Sequence, residues 1–326
     1  MMDVDVIHAG ESDFGTWDTF VASHPQGTIY HTSNWMLAGA PKSSGLLIAQ
    51  NPQGETLGGF AYALNTKGGL RRILKPTLTA RFGPLVAPDL PDAQKSLVYD
   101  AIFRALPRHD LIGLTTTDTH DAAIVRSVLS ASERRFPTNT KTLPSSPDEL
   151  LASYSSNIRR NIRQALAEGG RYVEQADADM AYDLFEGAYQ IRGDAPRFSR
   201  EQLHTVIDQL SIFGSVALPG VNDQNGVLVA ALLLFYDEKR AFYVVSGTDR
   251  DALSGNAGAL LVHFALRFAQ DRGLLFDFNG SSIEGINGFF KKFNPDPADV
   301  VHLRAARSMR GRLALVYESV TGKPVI

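Results

Sequence analysis

The residues best suited to chemistry lie close together near the end of the chain. Leu274-Leu275-Phe276-Asp277-Phe278-Asn279-Gly280-Ser281-Ser282 is followed by Gly288-Phe289-Phe290-Lys291-Lys292-Phe293-Asn294-Pro295. Strand character runs into a Gly-Ser turn, and alternation sets Leu275 and Asp277 on one face and Leu274, Phe276 and Phe278 on the other. Asp277 can orient a bound group, act as a base, or cap the Gly280 turn by accepting backbone amides. Lys291 and Lys292 suit the stabilisation of developing negative charge: flanking phenylalanines anchor the segment while the long lysine stems carry their ammonium groups to a cleft.

Two other groups of cations invite an anion. Arg159, Arg160 and Arg163 crowd the first two turns of a helix opened by Ser155-Ser156-Asn157 and closed at Gly169 or Gly170. Cations there oppose the helix dipole at roughly 0.3–1 kcal/mol each, a cost that a bound phosphate would remove. The alternative is a solvated charged face with Glu168 as partial compensation. Arg192 and Arg197 flank the loop Gly193-Asp194-Ala195-Pro196, where they can fork onto phosphate or carboxylate. There too an alternative stands, an Arg–Asp pair in which Asp194 ties the loop.

The elements that hold these residues follow from local pattern. Ile158, Ile162, Ala165 and Leu166 form an apolar stripe at helical spacing. Trp17 and Phe20 share a face of a helix beginning near Ser12. Strands over 45–50 and 55–64 are joined by Asn51-Pro52-Gln53-Gly54, a hairpin turn set by proline's fixed φ and glycine's freedom. Asp92 is the expected cap of a helix to about Leu106, and a strand returns over 111–117. Ser146, Pro147 and Glu149 carry a helix-start signal, and Ser199 with Gln202 another. A second hairpin, 226–236 and 241–247, leads into a nearly all-apolar helix over 257–268 and then the motif strand. The order hairpin, helix, strand thus occurs twice, which predicts two α/β (α+β) domains, 1–145 and 146–326, each a twisted mixed sheet flanked by helices.

Composition narrows the classes of function. The chain has 326 residues, 44% apolar and 21% charged, enough for a large core and about two domains. With no cysteine, disulfides and thiolate chemistry are excluded, and no His or carboxylate spacing reads as a metal site. Residues 1–15 carry no signal-peptide pattern, and the longest apolar run, 227–236, is far below the roughly 20 residues of a membrane helix. The expectation is a cytoplasmic protein without a transmembrane segment. A net charge of −3 means that any RNA contact must come from a local patch.

The pattern Asp-Phe-x-Gly-Ser followed by Phe-Phe-Lys-Lys-Phe-Asn-Pro resembles the closing motif of the Fem family of aminoacyltransferases and related acetyltransferase-like (GNAT) proteins. The basic helix resembles the one that opens the second domain in many of them, and His24-Pro25-Gln26-Gly27-Thr28-Ile29-Tyr30-His31-Thr32-Ser33-Asn34-Trp35 resembles their opening segment. The resemblance implies two GNAT-like domains in tandem and transfer of an amino acid from aminoacyl-tRNA to an amine, typically of a peptidoglycan precursor, with no tightly bound cofactor. It implies acceptor or donor roles for Trp35, for the Arg192–Arg197 loop, and for Gly280 and Ser281. Members that bind nucleotide-linked muropeptide tend to place a lysine within a turn of that Trp; here Met36, Leu37, Ala38 and Gly39 fill the turn and the first lysine is Lys42.

Coenzyme A-dependent relatives present backbone amides to pyrophosphate from a glycine-rich loop. The equivalent stretch here, Leu253-Ser254-Gly255-Asn256-Ala257-Gly258, keeps the glycines without an arginine or glutamine in register and makes Asn256 a candidate contact. His263, inside the apolar helix, reads as a core histidine. Three functions remain open: aminoacyl-tRNA-dependent transfer to an amine of a cell-envelope precursor or small molecule, acyl-coenzyme A-dependent N-acetylation, and a degenerate GNAT-like binding module.

Overall fold

Turn chemistry sets the first sheet. Asn51 Oδ1 accepts the backbone N–H groups of Gln53 and Glu55 at 3.0 and 2.9 Å, and Gly54 takes a φ of +83°. This turn joins strands Gly45–Gln50 and Thr56–Tyr62. Asp5–His8 and Leu85–Val86 complete a four-stranded antiparallel sheet on either side. Trp17 and Phe20 stack with ring centres 5.5 Å apart on helix Phe14–Ser23, which follows a short 3-10 turn, Glu11–Asp13, at the expected helix start. Trp17 is wholly buried and its Nε1 donates to the His31 carbonyl at 2.7 Å.

The computed structural model describes residues 2–39, 43–280 and 283–321. It divides into two compact units, Met1–Phe136 with Val300–Ile326, and Pro137–Asp299. The boundary expected at 145/146 therefore falls inside the second unit. Ser146 does cap a helix there, accepting the Glu149 N–H at 3.2 Å with Pro147 in the first turn, but a helix start marks a local stop signal and not a change of core. Strand Asp296–Ala306 and helix Met309–Thr321 return the chain's end to the first unit.

In that first unit a further set of strands runs in the order Leu64–Lys67, Leu70–Ile73, Leu111–Thr116 and the closing half of Asp296–Ala306. Leu70–Ile73 and Leu111–Thr116 are parallel, and Leu111–Thr116 pairs antiparallel with Val301–Ala306. Helix Asp92–Ala105 covers the core of Phe60, Ile73, Val98, Ile102 and Val301. Its N-cap is Pro91, not Asp92: proline's fixed φ, here −59° with ψ 148°, supplies the extended residue before the first turn, and Asp92 enters that turn instead.

The second unit is built on a sheet ordered Ser132–Lys141, Leu275–Asp277, Arg240–Thr248, Leu228–Tyr236, Gly220–Asn222 and Arg171–Val173. All its pairs are antiparallel except Arg240–Thr248 with Leu275–Asp277. Helix Ala257–Gln270 makes the crossover that a parallel pair requires. It buries nine residues, Leu260, Leu261 and Leu266 among them, so its near-continuous apolar sequence is explained by contact on most sides. A register shift between Leu233 and Leu234 interrupts the central ladder. Among the described residues no helix is long and apolar enough to cross a membrane.

Candidate functional site

The motif strand is short, Leu275–Asp277, and lies between Arg240–Thr248 and Ser132–Lys141. Asp277 is 1% exposed. Its Oδ1 accepts the backbone N–H of Asn279 at 2.7 Å, the capping geometry that competed with a role as base. The turn runs left-handed through Asn279 (φ +56°) and Gly280 (φ +51°). Only glycine fits the second position, because a Cβ would lie 2.8 Å from the Pro137 carbonyl oxygen and 2.9 Å from Thr138. Ser281, which the resemblance placed in the site, lies outside the described residues, as does Lys42.

Beyond this turn the motif forms a helix, Glu284–Lys291, which strand-and-turn reasoning did not anticipate. Phe290 and Phe293 are buried and Phe289 half-buried. Phe290 meets Tyr243 and Phe278 at 5.0 Å, and Phe293 meets Tyr154 edge-on at 5.2 Å. The rings anchor the segment as expected, while Lys291 and Lys292 are both exposed. Asp277 and the lysines therefore occupy opposite environments, one carboxylate inside the sheet and two ammonium groups in solvent.

A backbone link ties the lysines to the basic helix. The Lys292 carbonyl accepts the Ser155 N–H at 3.0 Å, and Ser155 is the N-cap of helix Ser156–Ala167, its hydroxyl accepting the Ile158 N–H at 3.4 Å. That helix buries Ile158, Ile162 and Ala165; Leu166, expected in the stripe, is 47% exposed, since it lies at the border of the packed face. Arg159 donates to the Ala152 carbonyl at 3.3 Å and Arg160 to Asn157 Oδ1 at 2.8 Å. Neither they nor Arg163, Lys291 or Lys292 form an ion pair among the described residues. The arginines thus gather at the same end of the unit as the motif lysines, with Glu168 instead accepting from Gln164 and Ser254.

In the Arg192–Arg197 loop both arginines are exposed. Arg192 lies over the Tyr189 ring, 4.6 Å from its centre, and Asp194 caps the loop through the Ala195 N–H at 2.9 Å. The alternative of an Arg–Asp tie is not what the loop adopts.

Leu253 (φ +50°), Ser254 (φ +49°) and Gly255 (φ +76°) make three consecutive left-handed residues before helix Ala257–Gln270. Non-glycine residues held in this region carry local strain. Asn256, the N-cap, makes no capping bond with its side chain; its Nδ2 donates to the Ser254 carbonyl at 3.2 Å. The first-turn amides of Ala257 and Gly258 have no intrahelical acceptor. Farther along, His263 is half-buried at the edge of the packed face and not in the core as expected: the Tyr154 hydroxyl lies 3.3 Å from its Nδ1, and desolvation, with Arg267 adding to it, pushes its pKa down to about 4.

Lys141 and Tyr243 escaped pattern reading. Lys141 is 5% exposed, donates to the Asn294 carbonyl at 2.9 Å, and has its pKa lowered by burial against the opposing pull of Asp296. Tyr243 donates to Ser246 Oγ, and burial pushes its pKa up to about 12. Neither carries a spacing signal. In the first unit Trp35 is buried, its Nε1 donating to Thr79 Oγ1 at 3.2 Å, and it lines a small apolar pocket with Tyr30, Met36, Tyr62 and Phe82. Among the described residues no group of His, Asp or Glu is placed to hold a metal ion.

Residues 152–291 match the acetyltransferase (GNAT) domain family. Among solved structures the chain is similar to FemX, at a TM-score of 0.70 and 14% identity over 96% of this chain and 100% of that one. It is also similar to a tandem GNAT protein from the clavulanic acid biosynthesis pathway (TM-score 0.56, 12% identity, 94% and 99% coverage) and to L-PGS from Bacillus licheniformis (0.55, 11%, 97% and 98%). No curated protein matches the chain. The matched domain is that of an acyltransferase enzyme, and the whole-chain likeness to FemX bears out the expected fold of GNAT-like domains in tandem.

Proposed function

We propose that this chain moves an aminoacyl group from aminoacyl-tRNA to an amine of a cell-envelope precursor or small molecule, with the second unit holding the donor. One observation carries this reading: the Lys292–Ser155 backbone link joins two exposed lysines to a helix end bearing three arginines without ion-pair partners among the described residues. Such a cluster offers a polyanion several phosphate contacts at once.

In the transfer, the amine nitrogen attacks the ester carbonyl carbon. The tetrahedral oxyanion collapses with formation of the amide bond, and the departing ribose oxygen takes up a proton as the amine loses one. Lys291 and Lys292 supply charge where the oxyanion and leaving oxygen develop. Asp277 acts by position, holding the turn that leads into the lysine-bearing helix. Arg192, Arg197 and Trp35 remain candidates for the acceptor.

Acyl-coenzyme A is the second reading of the donor, favoured by the left-handed Leu253–Gly255 turn. It leads into a helix whose first turn has small residues, no acid and two free amides, a fit for pyrophosphate. Transfer from coenzyme A would follow the same course, with a thiol as leaving group.

The test offers the purified chain charged bulk tRNA or acetyl-coenzyme A together with amine acceptors, and follows amide products by mass spectrometry. The proposal expects tRNA-dependent product. It also expects that Arg159→Gln, Arg160→Gln and Arg163→Gln combined weaken tRNA binding about tenfold, near 1.4 kcal/mol, and flatten its salt dependence. Product from the thioester alone with no tRNA affinity would establish the second reading, and consumption of neither would leave a binding module.

A further inference from the structure

The closing helix Met309–Thr321 belongs to the first unit and lies outside the matched domain. Its inner side is firmly docked. Arg304 pairs with Glu318, Ser308 Oγ donates to Asp110 Oδ1 at 2.5 Å, and the Arg307 N–H donates to the Asp110 carbonyl at 2.8 Å. Gly311 sits so close that a Cβ would lie 2.1 Å from that same carbonyl oxygen, and Ala314 is buried.

The outer side is apolar. Met309, Leu313 and Val320 are 68, 66 and 79% exposed, and Val316 and Tyr317 are also exposed. At about 100° of rotation per residue these five share one sector of the helix surface. Arg310 and Arg312, both exposed, fall at its two borders. The helix's one acidic residue, Glu318, is turned inward to Arg304. An apolar stripe edged on both sides by arginines, with its acid turned to the docked side, sets two cations where they would meet headgroups when the apolar side chains enter a bilayer. A basic face on a chain of net charge −3 is a local arrangement, complementary to anionic headgroups.

We propose that the outer face of Met309–Thr321 docks on an anionic lipid surface, with Met309, Leu313 and Val320 entering the acyl boundary and Arg310 and Arg312 meeting headgroup phosphates. The inference stands apart from the choice of acyl donor, and its test reads no transfer activity.

Full-length chain is sedimented with vesicles of phosphatidylcholine alone or with about one third phosphatidylglycerol, at low and high salt, alongside light scattering for mass. Binding to the anionic vesicles only, weakened by salt, is expected. Leu313→Ser with Val320→Ser should lower that binding at least tenfold, and Arg310→Gln with Arg312→Gln should lower it severalfold and remove the salt dependence. Unchanged melting curves accompany both variants, since every altered side chain faces solvent. Absence of vesicle binding by the wild type overturns the proposal. So does a dimer that Leu313→Ser dissociates, which would assign the face to a second copy of the chain.

Discussion

Two helices follow the two hairpins, and they begin in opposite ways. Asp92–Ala105 starts behind a proline with an acid in its first turn, and Asp92 Oδ1 sits 2.9 Å from His120 Nε2. Its next turn carries Lys95, buried in an ion pair with Asp121 at 2.9 Å, while Tyr99 donates to the other oxygen of Asp121 at 2.6 Å. Ala257–Gln270 starts behind three left-handed residues, has no acid in its first turn, and buries almost nothing but hydrocarbon. The first helix answers its own dipole and is held sideways by a polar network; the second has no acid at its start and is held mainly by packing, with Gln270 at its far end donating to the Pro144 and Ser146 carbonyls. A helix end whose charge is met internally has less to offer an anionic ligand, and the contrast is in keeping with the proposed donor site in the second unit.

Breaking the polar network should produce the largest effect. Asp121→Ala strands Lys95 and Tyr99, and is expected to destabilise the first unit by about 3–5 kcal/mol, read by chemical denaturation. Burial and the Asp121 charge hold the Tyr99 pKa well above its ordinary value.

Next comes the pair Lys291→Ala with Lys292→Ala. Both side chains are exposed, so the melting temperature should hold while transfer falls about a hundredfold, near 2.7 kcal/mol. Full turnover on an identified substrate would make the motif a clamp and nothing more.

The packed helix makes a pH prediction of its own. His263 has a folded-state pKa near 4, below its usual 6.5. Between those values the unfolded chain takes up a proton that the folded chain refuses, so stability falls as pH drops through 6.5 and levels off near 4. The loss should be on the order of 3 kcal/mol, and His263→Gln should flatten that part of a pH-dependent denaturation series.

Grafting the first helix's start onto the second sharpens the contrast directly. Gly258→Asp has room, its nearest neighbour being Thr248 Cγ2 at 3.4 Å from the new Cβ. The helix should be no less stable, while binding of a coenzyme A donor, if that is the donor, weakens about tenfold. The reverse change, Asp92→Asn, should cost only about 0.3–1 kcal/mol and leave every ligand affinity alone.

What the sequence determined by itself lies within a few residues of its cause. Ser146, Ser155 and Ser199 cap helices because a hydroxyl reaches an amide three residues on, and the Ile158, Ile162 and Ala165 stripe and the Asn51–Gly54 turn are equally local. Pro91 displaced Asp92 as a cap for a reason also local, though it needed the backbone angle to decide it. Tertiary structure alone decided the rest. Lys141 is held by Asn294 across 153 positions and Lys292 by Ser155 across the span of the second unit, and the chain's end leaves that unit to finish the sheet of the first. Burial of a lysine and the return of a strand depend on which distant surfaces meet, and neither leaves a period or a spacing in the residues themselves.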